Sequence, residues 1–329
     1  MTTTTPPAPS ARTPLGLTAV LSRPVVGIGW MVVLASLAGL MGRWHWFLDL
    51  FSHFRWQYLA AGGLALVTAL LTRRWAGSIV FGLVLLGNLA LLAAPMLRSG
   101  TTTVSTGTRL RVLIANIHTA NPAPERLLAW IAQEDPDIVG VLELSPHAAE
   151  MFRSLDTAYP TRTALPGTAN FGIGLWSRLP ESRIVERTHG DTPSVTLELR
   201  FDEARSPARL WLSHPFPPVG ATGTAWRNAV LEDLATLVRQ SAQPAILAGD
   251  LNATPWSAAF AQLESASGLR HADTGFGPRP TWGPPGWLRP ILSLPLDHVM
   301  VSHHWQATRY VVGPDIGSDH RPVVVDLRR

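Results

Sequence analysis

Cysteine and lysine are both missing from the 329 residues. The first absence removes disulfides and thiol chemistry. It does not fix the compartment, because chains without cysteine occur in oxidising exteriors and in the cytoplasm alike. The second absence makes arginine the only strongly basic side chain and helps lift the pI to about 10.5. Charge of any kind is scarce: Asp, Glu, Lys and Arg make up 15% of the chain against an apolar content of 46%, low for a wholly soluble protein. The scarcity is local. Val25–Gly42, Gln57–Thr72 and Ala76–Leu97 contain no Asp, Glu, Lys or Arg.

Crossing a bilayer takes roughly 17–25 apolar residues, which the first and third stretches satisfy and the second approaches with help from Trp56 or Trp75. A buried helical bundle accounts poorly for three such stretches in a row, and a cleavable signal peptide accounts only for the first. The expectation is a multi-pass anchor of three transmembrane helices over 24–97, after an N-terminal tail over 1–23 that opens Thr/Pro-rich. Arg12, Arg23, Arg73 and Arg74 flank one side of these spans, and Arg43, Arg55 and Arg98 the other. The arginine excess places the N-terminus inside, which puts everything after Leu97 outside the cytoplasm. No ionisable residue lies within the three stretches, so an anchor fits better than a transport path.

The net charge of +4 conceals two opposite halves. Residues 1–100 hold seven Arg and one Asp, and the remainder twenty Arg and twenty-two acidic residues. The larger part therefore lacks the overall basic footprint of a nucleic-acid binder. After a linker over 98–108 (RSGTTTVSTGT), short apolar runs alternate with Gly/Pro/polar segments, and Pro124–Glu134 and Thr224–Gln240 show apolar residues at helical spacing. This texture predicts one α/β domain over 109–329 with a layered sheet core.

Polar residues recur where the apolar runs end. Asn116 ends RVLIAN, Glu143 interrupts VGVLEL, and His214 ends LWLSH. Asp250 and Asn252 end AILAGDLN, Asp297 and His298 open LDHVMVS, and Asp319 and His320 open SDHRPVVV. A buried polar group is costly unless paired, so six such strand edges built from Asn, Glu, Asp and His point to a shared pocket. Strand alternation aims Asp250 and Asn252 the same way, to hold a metal, to grip a phosphate, or to make a turn.

The ordered fragments IAN, PDIVGVLEL, GIGLWSR, LSHPFPP, LAGDLNATP, LDHVMVS and SDHRPVVVDL resemble the endonuclease/exonuclease/phosphatase family over about two-thirds of the chain. The resemblance implies a DNase I-like four-layer sandwich of two mainly antiparallel sheets flanked by helices. It implies a divalent metal, Mg²⁺ with Mn²⁺ as substitute, bound by Glu143 with Asn116 beside it and Asp319 completing the site, as suits a hard ion with oxygen ligands. Asp250 and Asn252 match the pair flanking the scissile phosphate. His320 matches the histidine that contacts the phosphate and assists proton transfer, with Asp297 as its orienting partner, and His214 matches the group that can protonate the leaving oxygen. The implied reaction is hydrolysis of a phosphodiester, in a nucleic acid or a phospholipid or small phosphoester, by in-line attack of water. No obligate protein partner is implied. The family often has Gln before the glutamate, where this chain has Leu142.

His118 and His298 match no family role and read as scaffold histidines, Asn170 as a loop residue, and Arg227 as an exposed helical arginine. Trp282, Trp287 and Leu288 lie in a Pro/Gly-rich loop before Asp297 that either packs rigidly or borders the substrate. A catalytically silent membrane-tethered binding or scaffold protein is the competing class, and the complete set of eight site residues argues against it.

Overall fold

The computed structural model describes residues 17–97, 109–179, 182–203, 206–273 and 279–329. The expected linker 98–108 and residues 1–16 of the expected tail lie outside the described residues. Helix α1 (Leu17–Leu40) already begins within the expected tail, because Leu17, Val20 and Leu21 continue the apolar pattern of the span. A short α2 (Trp46–Leu50) and a 3₁₀ turn (Phe51–Phe54) lead into α3 (Arg55–Leu71), which is followed by α4 (Trp75–Leu97). Only two of the three long helices are long and apolar enough to cross a bilayer, over Ser22–Leu40 and Trp75–Ala94. At 17 residues α3 falls short by length, so the expectation of three spans is reduced to two on this criterion.

The long helices pack against one another through small residues. A Cβ on Gly29 of α1 would lie 2.6 Å from the Phe81 ring and 2.7 Å from the Ala65 Cβ, so only glycine permits this approach of α1 to α3 and α4. At one end of the bundle the Asn88 Nδ2 donates to the Ser36 Oγ at 2.9 Å, and the Arg55 guanidinium donates to the Asn88 Oδ1 at 3.0 Å.

The remaining strands form two sheets of six. In the first, β11 (Gln306–Val312), β12 (Val323–Arg328), β1 (Arg109–Asn116), β2 (Ile138–Leu142), β4 (Ile173–Ser177) and β3 (Thr161–Leu165) lie in that order. In the second the order is β5 (Arg183–Thr188), β6 (Val195–Glu203), β7 (Ser206–Ser213), β8 (Ala245–Asp250), β10 (Asp297–Val301) and β9 (Arg270–His271). Each sheet is mixed, with a single parallel pair at its centre, β1 with β2 and β7 with β8.

Both faces of the central strands are buried. Val112, Ile114, Leu175, Leu197, Leu210 and Leu212 meet between the sheets. Leu113 and Val139 point the other way, against α5 (Glu125–Glu134) and α6 (Pro146–Phe152). Trp211 and Leu247 do the same against α7 (Gly220–Gln240) and α8 (Ala258–Ser267). Burial on both faces explains why the strands read as continuous apolar runs, and it makes four layers. Parallel pairing brings the ends of β1 and β2 together, and likewise the ends of β7 and β8. Antiparallel pairing then sets the start of β10 against the end of β8, with Asp297 opposite Asp250.

Candidate active site

Glu143 follows the last residue of β2 with φ +56°, a left-handed conformation uncommon for a non-glycine residue. Its carboxylate is fixed from both sides: Oε1 accepts from the Asn116 Nδ2 at 3.0 Å and Oε2 from the Thr119 N–H at 3.1 Å. The Asn116 Nδ2 also donates to the Asp250 Oδ2 at 3.1 Å, while its Oδ1 accepts the His118 N–H at 3.0 Å. Asn116 thus donates to two carboxylates at once, and its oxygen, which accepts the His118 N–H, keeps a second lone pair for the ligand role expected of it.

The pairing of Asp250 with Asn252 also departs from simple strand alternation. The strand stops at Asp250, and Asn252 turns to φ +48°. Its N–H donates to the Asp250 Oδ1 at 3.0 Å and its Nδ2 to the Pro215 carbonyl at 3.0 Å. The turn and the convergence coexist, since both residues line the same cavity. Gly249 makes this possible. It has φ +136°, and a Cβ there would lie 2.0 Å from the Ser213 carbonyl oxygen.

His320 pairs with Asp297, not with its neighbour Asp319: Nδ1 to Oδ2 is 2.8 Å. Its Nε2 stands 3.5 Å from the Asp250 Oδ2, and the His214 Nε2 stands 3.6 Å from the same oxygen. Burial alone would lower the His320 pKa, but Asp297 and Asp250 reverse this and hold it up at about 10. Burial lowers the His214 pKa and His320 adds to the lowering, with Glu143 and Asp297 pulling against it without reversing it, which disfavours the proton expected of it for the leaving oxygen. Burial raises Asp250 to about 7 against the opposing pull of His320. The Asp319 Oδ2 instead accepts from the Trp282 Nε1 at 2.9 Å. The Ser318 Oγ donates to the Asn116 carbonyl at 2.9 Å and accepts the His320 N–H at 3.0 Å, tying the two strand ends together.

These groups border a cavity of about 340 Å³. Glu143, Asp250 and Asp319 line it and no arginine does, so among the described residues its charge is balanced mainly by His320. A tight group of possible ligands is formed by Asp250, Asp297 and His320, whose atoms lie within 4.8 Å of one another. The hydrogen bond from His320 to Asp297 already occupies that group. Glu143 and Asp319 add carboxylate oxygens to the same cavity, a donor set that fits a hard divalent ion. The buried Asp297 Oδ1, which has no hydrogen-bond partner, adds to the demand for positive charge.

A sequence model of the Endonuclease/Exonuclease/phosphatase family matches residues 113–320. The chain belongs to this family. Membership makes it a hydrolase of phosphate esters, metal-dependent as the family is. Among solved structures, an endonuclease/exonuclease/phosphatase from Beutenbergia cavernae is 22% identical, with a TM-score of 0.52 over 67% of this chain and 71% of that one. D. rerio TDP2 complexed with single strand DNA product is 15% identical, with a TM-score of 0.56 over 68% and 100%. Sphingomyelinase C from Streptomyces griseocarneus is 16% identical, with a TM-score of 0.50 over 67% and 99%. Comparison with curated proteins gives no match. The similarity to these structures shows the DNase I-like fold.

In this family member His298 is scaffold. It is fully buried, contacts His271, and its Nε2 meets the Ala253 carbonyl at 2.7 Å. Arg227 is not the exposed arginine expected. It is 1% exposed and donates to the Asn252 carbonyl at 3.1 Å and to the Asp49 Oδ2 at 3.1 Å. Thr119, Ser318 and the Asp49–Arg227 pair were not singled out in the sequence. Of these, only Ser318 sits inside a family fragment, SDHRP.

Proposed function

We propose that this hydrolase is a membrane-anchored phosphodiesterase. Glu143 and Asp319 would hold one divalent ion, with Asn116 and Thr119 fixing the glutamate and Trp282 the aspartate. Such an ion supplies charge neutralisation at the phosphate and polarisation of its P–O bonds. Asp250, with Asn252, orients the attacking water. His320, held by Asp297, presents Nε2 to a phosphate oxygen, stabilises the charge that develops there, and assists proton transfer. His214 orients the water or the ester from the other side of Asp250. The observation carrying this reading is the convergence of Glu143, Asn116, Asp250 and His320, drawn from four strand ends, within hydrogen-bond reach of one another.

The anchor is proposed on three grounds. The long helices turn Leu34, Leu37, Leu64, Ile79, Leu83 and Leu86 outward, as bilayer-facing helices do. Asp49, between α1 and α3, touches Arg227, beyond α4. If α3 did not cross, α1 and α4 would leave these two residues on opposite faces of the bilayer, so the contact supports three crossings despite the shortness of α3. The arginine distribution then favours a hydrolase domain outside the cytoplasm.

The test uses the full chain in detergent with Mg²⁺ or Mn²⁺ and bis-p-nitrophenyl phosphate. Hydrolysis should vanish on chelation and in Glu143→Ala and His320→Ala. Turnover surviving both substitutions would overturn the assigned site. A reporter fused after Leu97 that signals from the cytoplasm would overturn the orientation.

A further inference from the structure

The cavity is not built by the hydrolase domain alone. Leu50, His53 and Phe54, from the segment between α1 and α3, line it together with Glu143, Asp250 and His320. The segment is fastened to the domain at several points. The Asp49 Oδ2 accepts from Arg227 at 3.1 Å and its Oδ1 from the Ala258 N–H at 3.1 Å, at the start of α8. The His53 Nδ1 is 3.0 Å from the Thr254 Oγ1, and the His53 carbonyl accepts from the Trp256 Nε1 at 3.2 Å. The His53 Nε2 is buried without a hydrogen-bond partner in a residue that is 5% exposed.

The wall combines two chemistries. Beside the carboxylates and imidazoles, Leu50, Phe54, Phe171, Pro217, Leu294 and Leu296 give the cavity an apolar lining. Among the described residues that line the cavity there is no arginine to follow a polyanionic backbone, a feature that nucleic-acid grooves rely on. Chain continuity sets the segment where α1 and α3 emerge from the anchor. The Gln57 Nε2, in the first turn of α3, donates to the Ile291 carbonyl at 2.9 Å. This brings the exposed Trp287 and Ile291 of the hydrolase domain, on and beside α9 (Arg289–Leu292), to the level of the exposed Trp44, Phe47 and Trp56 of the anchor. Tryptophans at that level suit a membrane interface.

We infer that the Trp46–Phe54 segment is part of the substrate site, and that the cavity takes the phosphoester head of a lipid whose alkyl chain runs along Leu50 and Phe54. The inference rests on the phosphodiesterase reading and adds the substrate class to it. The His53 Nε2 would meet a polar group of the headgroup.

The test uses the full chain in micelles with two diesters sharing one leaving group, methyl p-nitrophenyl phosphate and dodecyl p-nitrophenyl phosphate. The wild type should favour the dodecyl ester in kcat/KM by at least about tenfold, a factor that burial of roughly two methylenes supplies. Phe54→Ser should shrink that ratio toward one, whereas simple enrichment of the dodecyl ester in the micelle would leave it unchanged. Dodecyl phosphate carrying a diazirine at the chain end should label residues 46–54 in the wild-type protein, a readout independent of how any variant folds. A wild-type ratio near one, a ratio unchanged in Phe54→Ser, labelling confined to other segments, or a preference for single-stranded DNA over both esters would each overturn the inference while leaving the phosphodiesterase reading intact. Failure to hydrolyse either ester or DNA would overturn both.

Discussion

Asp49 and Arg227 lie 178 residues apart in sequence and 3.1 Å apart in space, both almost completely buried. Asp49 belongs to the N-terminal helical segment, in α2, and Arg227 to the helix that follows β7. The same guanidinium donates to the carbonyl of Asn252, so one arginine couples that segment to the loop that carries a residue of the candidate site.

Breaking this pair should be costly. Asp49→Ala leaves a buried guanidinium without its counter-charge, which costs roughly 3–5 kcal/mol when a buried pair loses one partner. Thermal melts of the full chain in detergent should show a large fall in Tm for Asp49→Ala and a smaller one for the double variant Asp49→Leu/Arg227→Met. An unchanged Tm in the single variant would mean the contact contributes nothing.

Gly249→Ala should be poorly tolerated. The backbone at φ +136° and the approach of the Ser213 carbonyl to 2.0 Å of a Cβ leave no room for a methyl group. Strain of this class costs about 1–3 kcal/mol before any clash is counted. Loss of stability together with activity is the expected outcome, measured by melting and by bis-p-nitrophenyl phosphate turnover on the same sample. Wild-type behaviour in both would refute the close approach.

Trp282→Phe keeps an aromatic ring at this position but removes the N–H that the Asp319 Oδ2 accepts. Groups that orient a metal ligand typically change affinity by about 10–100-fold. The Mg²⁺ concentration for half-maximal activity should therefore rise about tenfold, with kcat at saturating Mg²⁺ falling less. An unchanged Mg²⁺ titration would separate Asp319 from the metal.

Acid should withdraw the contribution of two buried histidines. Burial lowers His298 to about 3 and His53 to about 4, both below the ordinary histidine value near 6.5. Between pH 6.5 and pH 4 the unfolded chain binds protons at these positions that the folded chain refuses. Stability from these residues is present above pH 6.5 and is lost progressively as the pH falls through that window. Asp250, raised to about 7, works in the opposite direction over the same window, so the readout is the comparison with a variant. From pH 7 to pH 4 the Tm of His298→Gln should fall less than that of the wild type once its own cost is subtracted. Identical pH slopes for the two proteins would contradict a neutral buried His298.

Much of the site was legible because its residues break apolar runs. Asn116, Glu143, His214, Asp250, Asp297 and His320 each stand at a strand end, where a short-range pattern marks them against buried neighbours. The four layers were legible for a related reason, since strands buried on both faces leave no polar alternation. The contacts of Asn252 were not, because a φ of +48° overrides the facing rule that strand geometry supplies. Nor was the orientation of Asn116, which the His118 N–H decides. Least visible was the docked segment. Leu50, His53 and Phe54 look like a connection between two apolar helices, and only the tertiary fold carries them to a cavity assembled some hundreds of residues later.

A fragment trimmed to the residues after α4, the obvious choice for a water-soluble preparation, would retain every strand-end group yet open one side of its own reaction chamber. Removing Asp49 and His53 would also take one hydrogen-bond partner each from Arg227, Thr254 and Trp256. Selectivity measured on such a shortened chain would describe a different vessel from the one the intact polypeptide forms.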